Sequence, residues 1–201
     1  QMISYELALT MSVVGVLLLA GTFSLSEIVK AQMGYSWGFL PKWNLLNPVL
    51  PQVLGFFCYF VAAVAETNRL PFDLAEAESE LVAGFHTEYS SFKFAMFFMG
   101  EYASMFTVAC LATILFLGGW LSPFPETALF IWTHYLPAAF FAASGLAIIF
   151  FGVRYLTLSG RAILLLLGAL LCAPAFVSAR PGAVDFVQGP FWFLFKVLVG
   201  L

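Results

Sequence analysis

Residues 94–120 read FAMFFMGEYASMFTVACLATILFLGGW. This stretch carries one charged side chain, Glu101, among Phe, Met, Leu, Ile, Val and Ala. A bilayer core of roughly 30 Å is crossed by about 20 helical residues. Lipid offers no partner to backbone polar groups, so a spanning segment must satisfy them internally. The stretch therefore predicts a transmembrane helix over Phe94–Trp120. Similar apolar runs predict helices over Leu7–Leu25, Pro48–Glu66, Ala128–Val153 and Ala162–Ser178, and the first part of a sixth over Pro190–Leu201. A transmembrane β-barrel would show short segments of alternating polarity instead. The fold class expected is all-α, a polytopic transmembrane helical protein.

Composition agrees. Of the 201 residues, 62% are hydrophobic and only 9% are Asp, Glu, Lys or Arg, against about 25% charged in soluble domains. The mean hydropathy is +0.97. A soluble protein with an unusually large core, or a cleaved signal peptide, does not account for apolar runs that recur to the last residue. The chain opens on Gln1 and stops at Leu201 inside an apolar segment, which is expected of an internal piece of a longer chain. No targeting signal is recognisable.

Several chemistries find no support. Cys58, Cys110 and Cys172 lie in hydrophobic runs without CxxC spacing and read as small apolar packing residues. His86 and His134 form no HExxH, so no metal site is expected. No Walker loop or dinucleotide fingerprint occurs. The net charge of -3 argues against a nucleic-acid partner.

Residues 66–91, ETNRLPFDLAEAESELVAGFHTEYSS, differ from everything around them. They hold Glu66, Asp73, Glu76, Glu78, Glu80 and Glu88, six of the eleven acids, with Arg69 as the one Lys or Arg. Pro71 should break or start a helix, and Asp73 can cap the run that follows. In a helix, Asp73, Glu76 and Glu80 would share a face with Glu78 roughly opposite. A merely solvated acidic loop is the alternative. The apolar and aromatic words LPFDL, ELVAGF and EYSSFKF fit better with a loop folded against a membrane domain. The preceding loop, 26–47, has Trp37 and Trp43 as expected interfacial anchors. Asn47 and Pro48 then signal a helix start.

Glu101 lies within an otherwise apolar run. An acid there must be neutral, paired or hydrated in a cavity. Glu6 and Glu66 fall at helix ends, where either could be an ordinary interfacial residue. Taken together, Glu6, Glu66 and Glu101 form a candidate row of carboxylates able to take up and release protons. Charge counting favours the loop around Glu76 and the turn Tyr155–Arg161 lying on one side of the membrane, the cytoplasm or matrix, by a small margin.

The words from Ala65 to Met105, AETNRLPFDLAEAESELVAGFHTEYSSFKFAMFFMGEYASM, closely resemble the family of the quinone-chamber membrane subunit of respiratory complex I, subunit 1 of NADH:quinone oxidoreductase. SYELALTMSVVGVLLLAGTFSL from Ser4 resembles the preceding family helix. FLGGW at Phe116–Trp120 resembles the end of the sixth family helix, and GPFWFLFKVLVGL from Gly189 resembles the start of the seventh. Together these words cover about two thirds of the chain.

The resemblance implies a membrane subunit without a redox centre that supplies the floor of a quinone cavity in a proton-pumping complex. Quinone would be the substrate, while FMN and iron–sulfur clusters would sit in partner subunits. Implied partners are the peripheral-arm iron–sulfur and quinone-site subunits, small membrane subunits and lipid. The implied membrane is the bacterial plasma membrane or the mitochondrial inner membrane. Glu6, Glu66 and Glu101 resemble the family's proton-relay glutamates. Arg69, Phe72, Asp73, Glu76, Glu78, Glu80, Phe85, Glu88 and Tyr89 resemble the loop that lines the quinone chamber.

Two departures stand out. The family's arginine-rich first loop and its RAxxPRxRYDQ word are absent. Family members also pass from FLGGW to FWFLxK through a short loop, whereas here residues 121–189 intervene. The expected organisation is thus quinone-chamber helices and acidic loop over 1–120, an insertion with two transmembrane helices over 121–189, and the start of a further helix over 190–201. An even number of crossings keeps the last helix on its family side. Rival readings are the membrane subunit of an energy-converting membrane-bound hydrogenase, which shares PFDLAEAExEL but fits ELVAGF and FFMGEY less well, and a proton-coupled transporter, which should show internal repeats not found here. A membrane scaffold would leave Glu101 without a role.

Overall fold

A computed structural model of the chain describes residues 2–36, 40–67, 69, 71–72, 92–124, 133, 135–155, 158–178 and 184–200. Its helices are α1 (Met2–Ala20), α2 (Leu25–Ala31), α3 (Val53–Glu66), α4 (Phe92–Phe116), α5 (Leu136–Tyr155), α6 (Leu158–Ser178) and α7 (Val184–Gly200). Two-residue strands, Tyr35–Ser36 and Leu40–Pro41, and a 3-10 turn at Asn44–Leu46 complete the described elements. The fold is all-α and polytopic. Ile3–Ala20, Phe92–Phe116 and Leu136–Arg154 are each long and apolar enough to cross a bilayer.

Element boundaries differ from the sequence reading for local reasons. Helix α3 starts at Val53 rather than Pro48. The Asn47 side-chain oxygen accepts the Val49 amide at 3.0 Å, a turn that delays the helix past Pro48 and Pro51. At 14 residues α3 spans about 21 Å, short of a full crossing. Helix α2 occupies part of what reads as interfacial loop. Its Glu27 lies in the first turn and Lys30 in the last, as the helix dipole favours. Arg161 belongs to α6, which begins at Leu158 and runs through Pro174.

Two compact units make up the chain, one of Gln1–Ser36, Pro41–Gly119 and Phe195–Leu201, the other of Trp37–Leu40 and Trp120–Leu194. The core of the first is built from Val16, Ile28, Tyr59, Ala63, Leu115 and Phe116. The Phe116 ring meets Phe56 edge-on at 5.4 Å and Tyr59 at 5.6 Å. The Tyr59 hydroxyl donates to the Val108 carbonyl at 2.9 Å, so the buried phenol ties α3 to α4 with its polar atom satisfied. Leu7, Met11, Val14 and Leu18 of α1 point outward and exposed, at spacings that place them on one face. That arrangement suits lipid rather than water.

The C-terminal end of α4 is closed by side chains from three other elements. A helix leaves its last carbonyls unsatisfied. Here Gln32, just past α2, donates to Ile114 at 3.0 Å, Asn44 donates to Leu115 at 2.7 Å, and Lys196 of α7 donates to Leu117 at 2.6 Å. Gln32 also accepts the Asn44 amide at 3.1 Å, which links two of the donors. The chain then turns away through Gly118 and Gly119, with φ of 72° and 53°. A Cβ on Gly118 would lie 2.5 Å from the Trp43 ring, and one on Gly119 2.8 Å from Val29. The FLGGW word thus ends the helix at Phe116, before the expected Trp120, because its glycines adopt left-handed backbone in a space without room for side chains.

In the second unit α5 and α6 pack closely against each other. A Cβ on Gly145 would fall 2.8 Å from the Gly168 carbonyl oxygen and 2.5 Å from Cys172 Sγ. Small residues permit this backbone approach, as in membrane helix pairs generally. Phe140 and Phe191 lie 5.7 Å apart, and Phe124 meets Trp192 edge-on at 5.8 Å.

Candidate functional site

The site is assembled from the end of α3, the residues that follow it, and one face of α4. At the end of α3 the Thr67 amide donates to Ala63 and the Arg69 amide to Val64, each at 3.1 Å. The Phe72 amide then donates to the Arg69 carbonyl at 2.7 Å. These bonds fold the chain tightly, so Arg69 and Phe72 leave in defined directions.

Arg69 is directed at α4. One guanidinium nitrogen lies 3.5 Å from the Glu101 carboxylate. Its Nε donates to the Met105 sulfur at 3.2 Å. Its central carbon lies 5.2 Å from the centroid of the Tyr102 ring. Glu101 and Met105 are one helical turn apart, and Tyr102 precedes Met105 by three residues, so the three flank one strip of α4. An acid, an aromatic face and a soft sulfur together receive the planar cation. The ion pair is half-exposed, at 39% and 44%. In water such a pair contributes up to about 1 kcal/mol. Beside hydrocarbon the same charges interact more strongly because screening falls.

Glu101 is therefore paired, which is one of the three states open to an acid at that position. The neighbouring hydroxyls are otherwise engaged, Ser104 with the Glu101 carbonyl at 2.9 Å and Thr107 with the Ala103 carbonyl at 2.8 Å. Phe72 is directed at α1, where its ring lies 6.1 Å from that of Tyr5. The residues leading into the acidic stretch thus touch α1 through Phe72 and α4 through Arg69.

Glu6 follows Tyr5 on α1 and is exposed; Glu66 closes α3 and is also exposed. Neither makes an ion pair among the described residues, and the described contacts do not join them to Glu101. Asp73, Glu76, Glu78, Glu80, Phe85, Glu88 and Tyr89 lie outside the described residues. Among the described residues no group of three His, Cys, Asp or Glu could hold a metal ion. Sequence reasoning missed Tyr102, Met105 and Tyr5. The signal for the first two was their spacing from Glu101 on one helix; nothing in the sequence pairs Tyr5 with Phe72.

Trp43 is half-buried. Its ring lies 4.3 Å from the ammonium of Lys196. Trp37 lies outside the described residues.

The family model of NADH dehydrogenase matches residues 1–201. The chain is 44% identical to the first of two NADH-quinone oxidoreductase H subunits of Solibacter usitatus, over 98% of this chain and 48% of that protein. It is 62% identical to the second NADH-quinone oxidoreductase H subunit of Koribacter versatilis, over 62% of this chain and 34% of that protein. It is 46% identical to the NADH-quinone oxidoreductase H subunit of Leptospira biflexa, over 77% of this chain and 42% of that protein. The chain spans about half or less of the length of these curated relatives.

Proposed function

This chain belongs to the NADH dehydrogenase family, and from that premise we propose that it is part of a membrane subunit lining the quinone cavity of a proton-translocating NADH:quinone oxidoreductase. Reduction of quinone to quinol takes two electrons and two protons. The electrons come from an iron–sulfur centre in a partner subunit, and this chain supplies the carboxylates that respond to the charge. Residues 66–91 line the cavity. Glu6, Glu66 and Glu101 form the relay by which quinone reduction is coupled to proton movement. Residues 121–189 form a two-helix insertion. The protein resides in the bacterial plasma membrane or the mitochondrial inner membrane, among the peripheral-arm and small membrane subunits of the complex.

The observation that carries this reading is the Arg69–Glu101 contact. Arg69 heads the acidic segment and Glu101 is the acid inside the long apolar helix, so a charge change near the segment is felt at Glu101 through one 3.5 Å step. A quinone whose charge changes nearby perturbs such a pair by several kcal/mol at low effective dielectric, on an order-of-magnitude scale. The relatives' names support NADH:quinone oxidoreductase over the membrane-bound hydrogenase.

A photoreactive quinone analogue applied to the assembled complex tests the reading. The labelled peptide is expected within residues 66–105, and excess unlabelled quinone should protect it. Labelling confined to other subunits would contradict a cavity lined by this chain.

A further inference from the structure

Lys196 is a charged side chain that the proposed function does not use. It lies on α7 and is only 6% exposed. Its ammonium donates to the Leu117 carbonyl at 2.6 Å and the Gly119 carbonyl at 3.0 Å. It also stands 4.3 Å from the centroid of the Trp43 ring. A lysine has three N–H donors. Two carbonyl oxygens and an aromatic face are among the partners that receive the ammonium. The negative end of the α4 dipole adds to that stabilisation. A buried cation without such partners would be prohibitive.

The arrangement is also sterically closed. A Cβ on Gly118 would be 2.5 Å from Trp43, so the indole is pressed onto the turn that the lysine caps. Gln32 and Asn44 hold the preceding carbonyls, Ile114 and Leu115. Those two bonds come from the same side of the chain as α2 and the 3-10 turn, whereas Lys196 is the one of these three donors that comes from α7. It holds the carbonyls of Leu117 and Gly119 in the turn that follows α4, and so ties the end of that helix to α7.

Glu101, Tyr102 and Met105 lie on that same helix. Glu101 and Phe116 are separated by about 22 Å of continuous helix, which behaves as a stiff rod. A rotation permitted at the capped end changes how the Glu101–Met105 strip meets Arg69. We propose that Lys196 is a positioning residue: it fixes the rotation of α4 and through it the geometry of the Glu101–Arg69 pair. Its consequence for catalysis rests on the quinone-chamber reading, but its geometric test does not.

The test uses the full-length subunit in nanodiscs and the assembled complex. Spin labels are placed at exposed Leu7 and at Gly100, where an added Cβ meets nothing within 4 Å, and the label-to-label distance distribution is measured. Lys196→Met is expected to shift or broaden the distribution, and Lys196→Arg, which keeps charge and donors, to restore it substantially. Quinone reduction per assembled Lys196→Met complex should fall by about tenfold, as expected when a reacting group is misplaced. A Lys196→Met distribution identical to the parent would overturn the proposal. So would an Arg variant as disturbed as the Met variant, since the side chain would then act by shape alone. If Lys196→Met does not accumulate, Lys196→Gln takes its place, since its shorter neutral amide cannot hold both the Leu117 and the Gly119 carbonyls. A shifted distribution in that variant supports the proposal and an unchanged one overturns it. A shifted distribution with unchanged quinone reduction leaves the positioning role standing and overturns the chamber reading instead.

Discussion

The guanidinium of Arg69 lies 3.5 Å from the carboxylate of Glu101, joining the residue that heads the acidic segment to the acid within α4. Tyr102 and Met105 complete the cradle, one through its ring face and the other through its sulfur. Each partner makes a different demand on the cation. Glu101 needs charge, Tyr102 favours a flat cation that can stack on its ring, and Met105 needs an N–H in the right place.

Arg69→Lys separates those demands. Lysine keeps the charge but has no planar fork and no Nε to give Met105. The loss expected is about 1 kcal/mol, on the order of fivefold in quinone reduction per assembled complex. Assembly itself should survive, judged by the yield of purified complex. Full activity in the purified variant would mark Arg69 as a surface charge.

The α5–α6 contact yields to a chemical probe. A Cβ on Gly145 would sit 2.5 Å from Cys172 Sγ, so Gly145→Cys brings two thiols within bridging range. Mild oxidation of that variant should form an intramolecular disulfide, seen as a retained link after proteolysis between the helices. In a separate variant, Gly168→Leu should overpack the crossing and destabilise it by about 1–3 kcal/mol. Failure of the disulfide to form under oxidation that links a control pair would refute the helix hairpin.

The link between α3 and α4 is measurable through Tyr59. Its ring is buried and its hydroxyl bonds the Val108 carbonyl. Tyr59→Phe keeps the ring and removes one buried hydrogen bond, at a cost of about 1 kcal/mol. Phe116→Ala removes the ring at the centre of the core and should cost about 3–5 kcal/mol. Thermal unfolding of the detergent-solubilised full-length subunit should rank the two in that order, and a larger loss from Tyr59→Phe would contradict the packing described.

Sidedness offers an independent check on residues 121–189. The two-helix reading of the insertion puts two crossings, α4 and α5, between positions 76 and 157. Single cysteines placed at Glu76 and Thr157 should therefore be labelled from the same side of sealed vesicles, the cytoplasmic or matrix side. Labelling from opposite sides would remove the two-helix reading of the insertion.

The helical architecture was legible because lipid imposes long apolar runs, and Glu101 was visible because it is the one charge within Phe94–Trp120. Helix ends were less legible. Trp120 is as apolar as Phe116, and only the left-handed backbone at Gly118 and Gly119 makes the helix stop early. Arg69 was identifiable as the cation of its segment, but its partners were not, since Tyr102 and Met105 read as ordinary members of an apolar helix. Lys196 was the least legible. Its role depends on Trp43, Leu117 and Gly119, which approach it only through the fold.

The central claim, that Glu101 works as an ionisable member of a relay, meets its most direct test in proteoliposomes holding the assembled complex, with quinone reduction and proton-gradient formation measured together. Glu101→Gln preserves shape and hydrogen-bonding capacity but removes the titrating group. Glu101→Asp keeps titration with a shorter reach toward Arg69. The account predicts near-normal assembly in both, a sharp loss of quinone reduction and of pumping in the Gln variant, and partial function in the Asp variant. Near-normal coupled activity in Glu101→Gln, with Asp the poorer of the two, would contradict it and leave Glu101 a structural residue.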